Sequence, residues 1–338
     1  MMPPEGTPVT ILRSPVEKLV RGRTLVPSSP SILTRVRRAR LSRRAPPPQS
    51  RMLRVPVPAD RWNCLFLFAP GIVLDPDQRA ILARVRALAG HLLVVVATPT
   101  ADAVPDELAL ADALIWKDLP GFDFSAYALA LDAVARFSPG ATAYMQNDSV
   151  LGPFADIDAL VDEARWDLTG FTGSPAVEEH LSSFAFVLKD VTPARCAALA
   201  SVLSTRWSYN AFAQVVMLQE TRLARVAART MTVGSLWYLP AAPAEPALLV
   251  PLMRRLGLFR EKAVVDTRGD ATLSFPLALL DQGFPFLKRS LLTKFAGLVP
   301  EEALRARLAA LGWDRPAPQP SRSSASRLAV VPQKASGS

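Results

Sequence analysis

The chain is poor in the residues that build metal centres and disulfide frameworks: its 338 residues include two cysteines and two histidines. Two thiols cannot make a disulfide framework. Cys64 and Cys196 each lie in an apolar run, NCLFLF and RCAALA, which predicts buried thiols in a reducing, cytoplasmic setting. No Cys/His spacing has the zinc-site pattern. There is no Walker-type phosphate loop and no GxGxxG fingerprint, and no GxSxG elbow. These absences argue against a simple kinase, dehydrogenase or hydrolase. No apolar run suits a spanning helix of about 20 residues: the most apolar long window, 235–252, contains Glu245 and four prolines, Pro240, Pro243, Pro246 and Pro251, which a regular helix does not tolerate. No apolar stretch precedes the N-terminal arginines, so no signal peptide is expected.

Acidic residues are scarce at the N-terminus. Residues 1–54 hold twelve Arg and Lys against two acids, Glu5 and Glu17. That leader carries the whole net charge of +9, so the remaining body is close to neutral and is not a basic protein. Residues 1–58 are rich in Pro, Ser and Arg and lack apolar periodicity, which predicts a disordered leader. Residues 314–338 read as a second disordered tail. One folded domain is expected over 59–313.

Half of the chain's residues are hydrophobic, ample for a core, and the body alternates strand and helix signals. Apolar runs at 64–68, 92–97, 114–116, 141–146, 166–171 and 184–188 read as strands. Asp75-Pro76 gives a helix start, with Asp as N-cap and Pro at the first helical position. Ile81, Val85 and Leu88 then line one face of a helix over 78–89. Further helices are expected from Gly121 to Phe137, around Ile157–Ala164, and as one long helix over 209–229. Strands separated by helices of 10–15 residues predict an α/β fold with a mostly parallel sheet.

The most informative segment runs from Tyr144 to Lys189. An apolar strand ends in Asn147-Asp148-Ser149, a Gly-Pro turn follows, and Glu178-Glu179-His180 precedes another strand. A carboxylate at the exit of a buried strand sits where α/β folds place ligands. Asp148 could ligate Mg²⁺ or Mn²⁺ together with substrate phosphates, or make an Asx turn that caps the next segment. His180 could bind a metal or a sugar hydroxyl or move a proton, with Glu178 or Glu179 orienting it or serving as a general base; it could equally be held at a strand edge. Asp123, between two phenylalanines at a strand-to-helix turn, could cap the helix or meet a ribose or sugar hydroxyl. Lys288 could neutralise a diphosphate or lie exposed on a helix. Glu220 reads as a solvated helix charge, His91 as a strand residue, and Trp116, Trp166, Trp207 and Trp237 as core.

Several segments, in order, resemble the rhamnan synthesis protein F family of glycosyltransferases: GFDF (121–124), NDSVLGPF (147–154), DLTGFTGS (167–174), HLSSFAFVLK (180–189), the stretch holding Glu220, and PFLK (285–288). The resemblance covers roughly 60–295. It implies a GT-A-like fold, a nucleotide-sugar donor with a divalent cation as its companion, and a glycan or lipid-linked acceptor in bacterial surface polysaccharide or lipopolysaccharide O-antigen synthesis. Rhamnose is the implied sugar. By the same route Asn147, Asp148 and Ser149 map to the donor or metal site, Asp123 to the nucleotide-sugar side, and His180 and Glu220 to motif positions. The sequence departs from the family at Thr169 (Trp expected), Gly173 (an acid expected), Ser182 (Gln expected) and Phe184-Ala185 (Tyr-Phe expected).

Two other classes stay open at this level. The lost acid at 173 suits a non-catalytic scaffold with a transferase-like fold. The basic leader suits a protein that contacts nucleic acid or the anionic inner leaflet of the membrane. The leader has no interleaved aromatics for base stacking, and a specific nucleic-acid partner is not expected. Peripheral contact with the inner membrane through residues 1–54 is compatible with sugar transfer to a lipid-linked acceptor.

Overall fold

The computed structural model describes residues 9–12, 19–175, 177–240, 263–267 and 269–313. The expected C-terminal tail at 314–338, the first residues of the leader and most of the proline-rich 235–252 window lie outside them. The main sheet runs from edge to edge as β2 (Val20–Thr24), β12 (Val233–Tyr238), β9 (Leu168–Ser174), β11 (Ala185–Val191), β7 (Ala141–Asn147), β4 (Arg61–Phe68), β5 (His91–Ala97), β6 (Ala113–Lys117) and β3 (Ser50–Arg54). β10 (His180–Leu181) pairs antiparallel with β9. Two small pairs stand apart: β1 (Val9–Leu12) with β13 (Ala263–Asp266), and β8 (Val150–Leu151) with β14 (Leu287–Lys288).

The sheet is mixed and mostly parallel. β7, β4, β5 and β6 are mutually parallel neighbours, and β9 and β12 point the same way. β11 runs against this direction between β7 and β9, and β2 and β3 run against it at the two edges. The continuous apolar runs of β4 and β5 follow from burial on both faces; Leu65, Leu67, Leu93, Val94 and Val96 are all inaccessible to solvent.

Helices cover both faces. α2 (Pro76–Arg86) links β4 to β5 and packs with the helix Glu301–Ala310 on one side, through Ile81, Val85, Leu304 and Leu308. α3 (Phe122–Phe137) links β6 to β7 and packs on the other side with α5 (Pro193–Leu199) and α7 (Thr221–Ala227). α4 (Ile157–Glu163) follows β8. The start of α2 is as the sequence predicts. Asp75 accepts from the Gln78 backbone N–H at 2.8 Å, and the Gln78 side chain accepts from the Asp75 N–H at 3.0 Å, a reciprocal capping box. Both thiols are free; Cys64 is buried and Cys196 partly so. Burial pushes the Cys64 thiol well up and that of Cys196 to about 11.

Two expectations are corrected. Residues 19–58 are not a disordered leader: β2 and β3 close the two edges of the sheet, and α1 (Ile32–Leu41) packs beside the π-turn described next. Several of their arginines are structural partners. Arg21 stacks on Trp237 with 3.7 Å to the ring centre, Arg23 lies 5.3 Å from that of Tyr238, and Arg38 is buried. Edge strands carrying charge are protected against pairing with other chains. The long helix expected over 209–229 is also broken. α6 (Phe212–Val215) passes through a π-turn, Val216–Glu220, into α7. The Met217 carbonyl there accepts from Arg38 Nε at 2.7 Å and from the Thr221 hydroxyl at 3.2 Å. Side chains that insert into the backbone ladder in this way interrupt a helix.

Candidate functional site

β4 sends its connection over one face to β5, while β7 lies on its other side and is reached from the opposite face. The strand order therefore reverses between β4 and β7, and a crevice opens beyond their C-terminal ends, where open α/β sheets bind ligands. Phe68 ends β4 and Asn147 ends β7. Asp148 bridges them. Its Oδ2 accepts from the Phe68 backbone N–H at 3.0 Å and from Gln78 Nε2 at 2.6 Å. The capping box that starts α2 thus also aims Gln78 at Asp148.

The Asx turn considered for Asp148 is made by its neighbour Asn147 instead: the Asn147 Oδ1 accepts from the Ser149 N–H at 3.0 Å and the Ser149 hydroxyl at 2.5 Å. The Asn147 Nδ2 donates to Asp123 Oδ2 at 2.9 Å. Gly121, in a left-handed conformation with φ 94°, turns the chain from β6 into α3 and sets Asp123 in the first turn. The side chain of Ser183, just before β11, meets Glu220 Oε2 in a short hydrogen bond, and the Ser183 N–H donates to the same oxygen at 3.3 Å. The π-turn is what brings Glu220 here.

The cations come from the β14 segment. Gly152 permits the approach: a Cβ there would lie 2.4 Å from the Pro285 carbonyl oxygen. β8 and β14 then place Lys288 opposite Val150. Lys288 Nζ donates to Asp270 Oδ2 at 2.5 Å. Burial opposes the charges of this pair, but their mutual attraction and hydrogen bond, joined by Thr272 at the aspartate and Glu220 at the lysine, hold the lysine pKa above and the aspartate pKa below their ordinary values. Arg289 donates to the Asp148 carbonyl at 3.2 Å and to Asp75 Oδ2 at 2.6 Å.

Three carboxylates converge on this edge. Burial, and then repulsion from Glu220, push the Asp123 carboxyl up to about 7. Burial also raises Asp148, against the pull of the Phe68 N–H, Gln78 and Arg289. Burial, followed by the charges of Asp123, Glu220 and Asp148, raises the Tyr127 phenol; its hydroxyl donates to the Ser183 carbonyl at 2.8 Å. Lys117 at the end of β6 is brought down to about 8 by burial, opposed by Asp118 and Asp123.

The structure therefore brings Asp123, Asn147, Asp148, Ser149 and Lys288 to one edge of the sheet, with Glu220 beside them. Glu178, Glu179 and His180 have other partners. Glu178 is buried between Arg38, which it meets in a short ion pair, and Arg225 Nε at 2.9 Å. Glu179 accepts from the Val26 N–H at 2.9 Å and the Tyr238 hydroxyl at 3.2 Å. His180 Nδ1 lies 2.9 Å from the Glu178 carbonyl. Among the described residues no hydrogen bond or ion pair joins these three side chains to the Asp123–Asp148 group, and two of them fasten the N-terminal arm to the body. The absent acid at 173 has a local reason, since a Cβ on Gly173 would sit 2.9 Å from the His180 carbonyl oxygen.

No group of three or more His, Cys, Asp or Glu side chains suited to a metal occurs among the described residues. Asp148 has Oδ1 free of hydrogen bonds among those residues, while Oδ2 takes two donors. That donor set fits a divalent cation held mainly by substrate phosphates and water, not a cage of protein ligands.

Gln78, Lys117, Ser183, Asp270 and Arg289 belong to this cluster and were not singled out from sequence. Arg289 is next to Lys288, and Gln78 is three residues after the N-cap Asp75; those two adjacencies were the available signals.

No family model and no curated protein matches the chain. Solved structures similar to it include that of 4-diphosphocytidyl-2C-methyl-D-erythritol synthase from Anaerococcus prevotii DSM 20548, at 9% identity and a TM-score of 0.30, over 63% of this chain and 88% of that one.

Proposed function

We propose that the chain is a glycosyltransferase that moves a sugar from a nucleotide-sugar donor to a growing cell-surface polysaccharide or lipopolysaccharide O-antigen, with rhamnose as the sugar the family resemblance suggests. The observation that carries this reading is the hydrogen-bonded Asp123–Asn147 pair beside Asp148 at the switch point of the sheet, with Glu220 alongside. The nucleoside diphosphate lies across the crevice. Ser149 and the Asn147 turn meet it from the end of β7, and Lys288 of β14 and the adjacent Arg289 offset its charge. Asp148, through Oδ1, would hold a divalent cation, which when bound would supply charge neutralisation at the leaving phosphates.

In the transfer, the acceptor hydroxyl oxygen forms a bond to the anomeric carbon and the bond from that carbon to the phosphate oxygen breaks. The nucleoside diphosphate leaves with the electron pair, and the acceptor proton goes to a carboxylate. Asp123 is the base in this proposal, because a carboxyl with a pKa of about 7 is matched to proton transfer near neutral pH. Glu178 and Glu179, the bases expected from sequence, are engaged by Arg38, Arg225, Val26 and Tyr238. The scaffold alternative rests on Gly173. Incubating the full chain with a panel of nucleotide sugars and acceptor glycans, and measuring nucleoside diphosphate released, separates the two. Release with one donor, lowered about 100-fold or more in Asp123→Asn, is the expected result; no release with any donor favours the scaffold.

A further inference from the structure

α1 presents two opposite faces. Arg38 is buried and anchored to Glu178, Met217 and Thr221. At about 100° per residue, Ile32, Leu33 and Val36 fall on the side of the helix opposite Arg38. They are exposed: Ile32 by 77% and Leu33 by 79%. Arg40 lies among them, with Arg35 and Arg37 at their flanks, all on the exposed surface. The helix contains no acidic residue. Phe212 of α6, the neighbour of α1, is 67% exposed, and Gln214 ties α6 to the end of α1 through the carbonyls of Leu41 and Arg43.

We infer that this outer face of α1 docks on an anionic lipid surface. Apolar side chains ringed by arginine on one exposed helix face match the interfacial position at a bilayer, where the apolar groups enter the acyl boundary and the guanidinium groups meet headgroup phosphates. A polyanion such as RNA would satisfy the arginines and leave Ile32 and Leu33 in water. The face is coupled to the crevice: Arg38 holds the π-turn that carries Glu220. Docking through α1 therefore sets the Asp123–Glu220 edge in a fixed relation to the membrane. The inference stands independently of the donor assignment, because it concerns binding alone.

The test is flotation of the full chain with vesicles of phosphatidylcholine alone and of phosphatidylcholine mixed with phosphatidylglycerol. Wild type floats with the anionic vesicles only, and less at raised salt. Ile32→Ser with Leu33→Ser lowers the bound fraction about tenfold, and Arg37→Glu with Arg40→Glu does so as well; all four positions are exposed, and unchanged thermal melting checks the fold. Absence of wild-type binding overturns the inference. So does undiminished binding of the serine variant, and in that case equal binding to RNA identifies a polyanion site instead.

Discussion

The side-chain amide of Asn147, the last residue of β7, donates to the Asp123 carboxylate in the first turn of α3 at 2.9 Å. That bond joins the two elements that flank the crevice and fixes a carboxyl group whose pKa burial and Glu220 raise to about 7. The bond and the raised pKa have consequences for both rate and stability.

The first consequence is a pH dependence. With Asp123 as base, kcat/KM rises with pH through about 7 and levels above it, because the carboxyl must be ionised to take the proton. Stability moves the other way. The folded pKa lies above the ordinary 3.8, so the native state holds more protons than the unfolded chain between these values. The contribution is fully present below pH 3.8 and is lost as pH rises through about 7. Asp123→Asn, which carries no charge, should abolish the rate limb and stabilise the protein at pH 8 by on the order of 2 kcal/mol. Urea unfolding of both proteins at pH 5 and pH 8 checks this; a pH-independent difference contradicts it.

Glu178 answers to a different test. It is buried between two arginines, so Glu178→Ala leaves Arg38 without its carboxylate and costs about 3–5 kcal/mol. Glu179→Gln retains an acceptor for the Val26 N–H and costs within about 1 kcal/mol. If Glu179 is instead the base, Glu179→Gln loses transfer with its stability intact.

The N-terminal arm supplies two edge strands, α1 and the buried Leu25. A chain shortened to residues 59–313 loses all of these and leaves Glu178 without Arg38. The ion-pair loss alone, about 3–5 kcal/mol, approaches the total stability of a marginal domain, about 5–15 kcal/mol. Circular dichroism melting of that shortened chain should show a lost or strongly lowered transition. Melting at the full-chain temperature would mean the arm contributes little.

An acid introduced at 173 should destabilise the protein. Gly173→Asp places a Cβ 2.9 Å from the His180 carbonyl and costs about 1–3 kcal/mol through overpacking, with β10 displaced. Calorimetry of the variant measures that cost.

Much of this was legible in the sequence for identifiable reasons. The β-branched run of β5 and the Asp75-Pro76-Asp77-Gln78 start of α2 carry local signals that the tertiary structure keeps. The segment from Tyr144 to Ser149 announces itself as an apolar strand ending in polar residues, and that is how β7 meets the crevice. The arm was misread because arginine and proline content stands for disorder only when no aromatic surface or buried carboxylate awaits the arginines, and Trp237 and Glu178 are about 140 or more residues away in sequence. Glu220 was read as a solvated charge because the π-turn that redirects it depends on Arg38 and Thr221, which no helical periodicity records. Asp123 was weighed as a cap; its raised pKa comes first from burial and then from Glu220, a partner on another element.

The most direct test is donor binding at the switch point. Thermal shift of the full chain against a panel of nucleotide sugars, with and without Mn²⁺, should give stabilisation by one nucleotide sugar through mass action. Asp148→Asn keeps an acceptor for Phe68 and Gln78 but removes the charge, and should lose that shift while melting near the wild-type temperature. Stabilisation by no nucleotide sugar, or a shift retained in full by Asp148→Asn, would contradict the assignment of this crevice to a nucleotide-sugar donor.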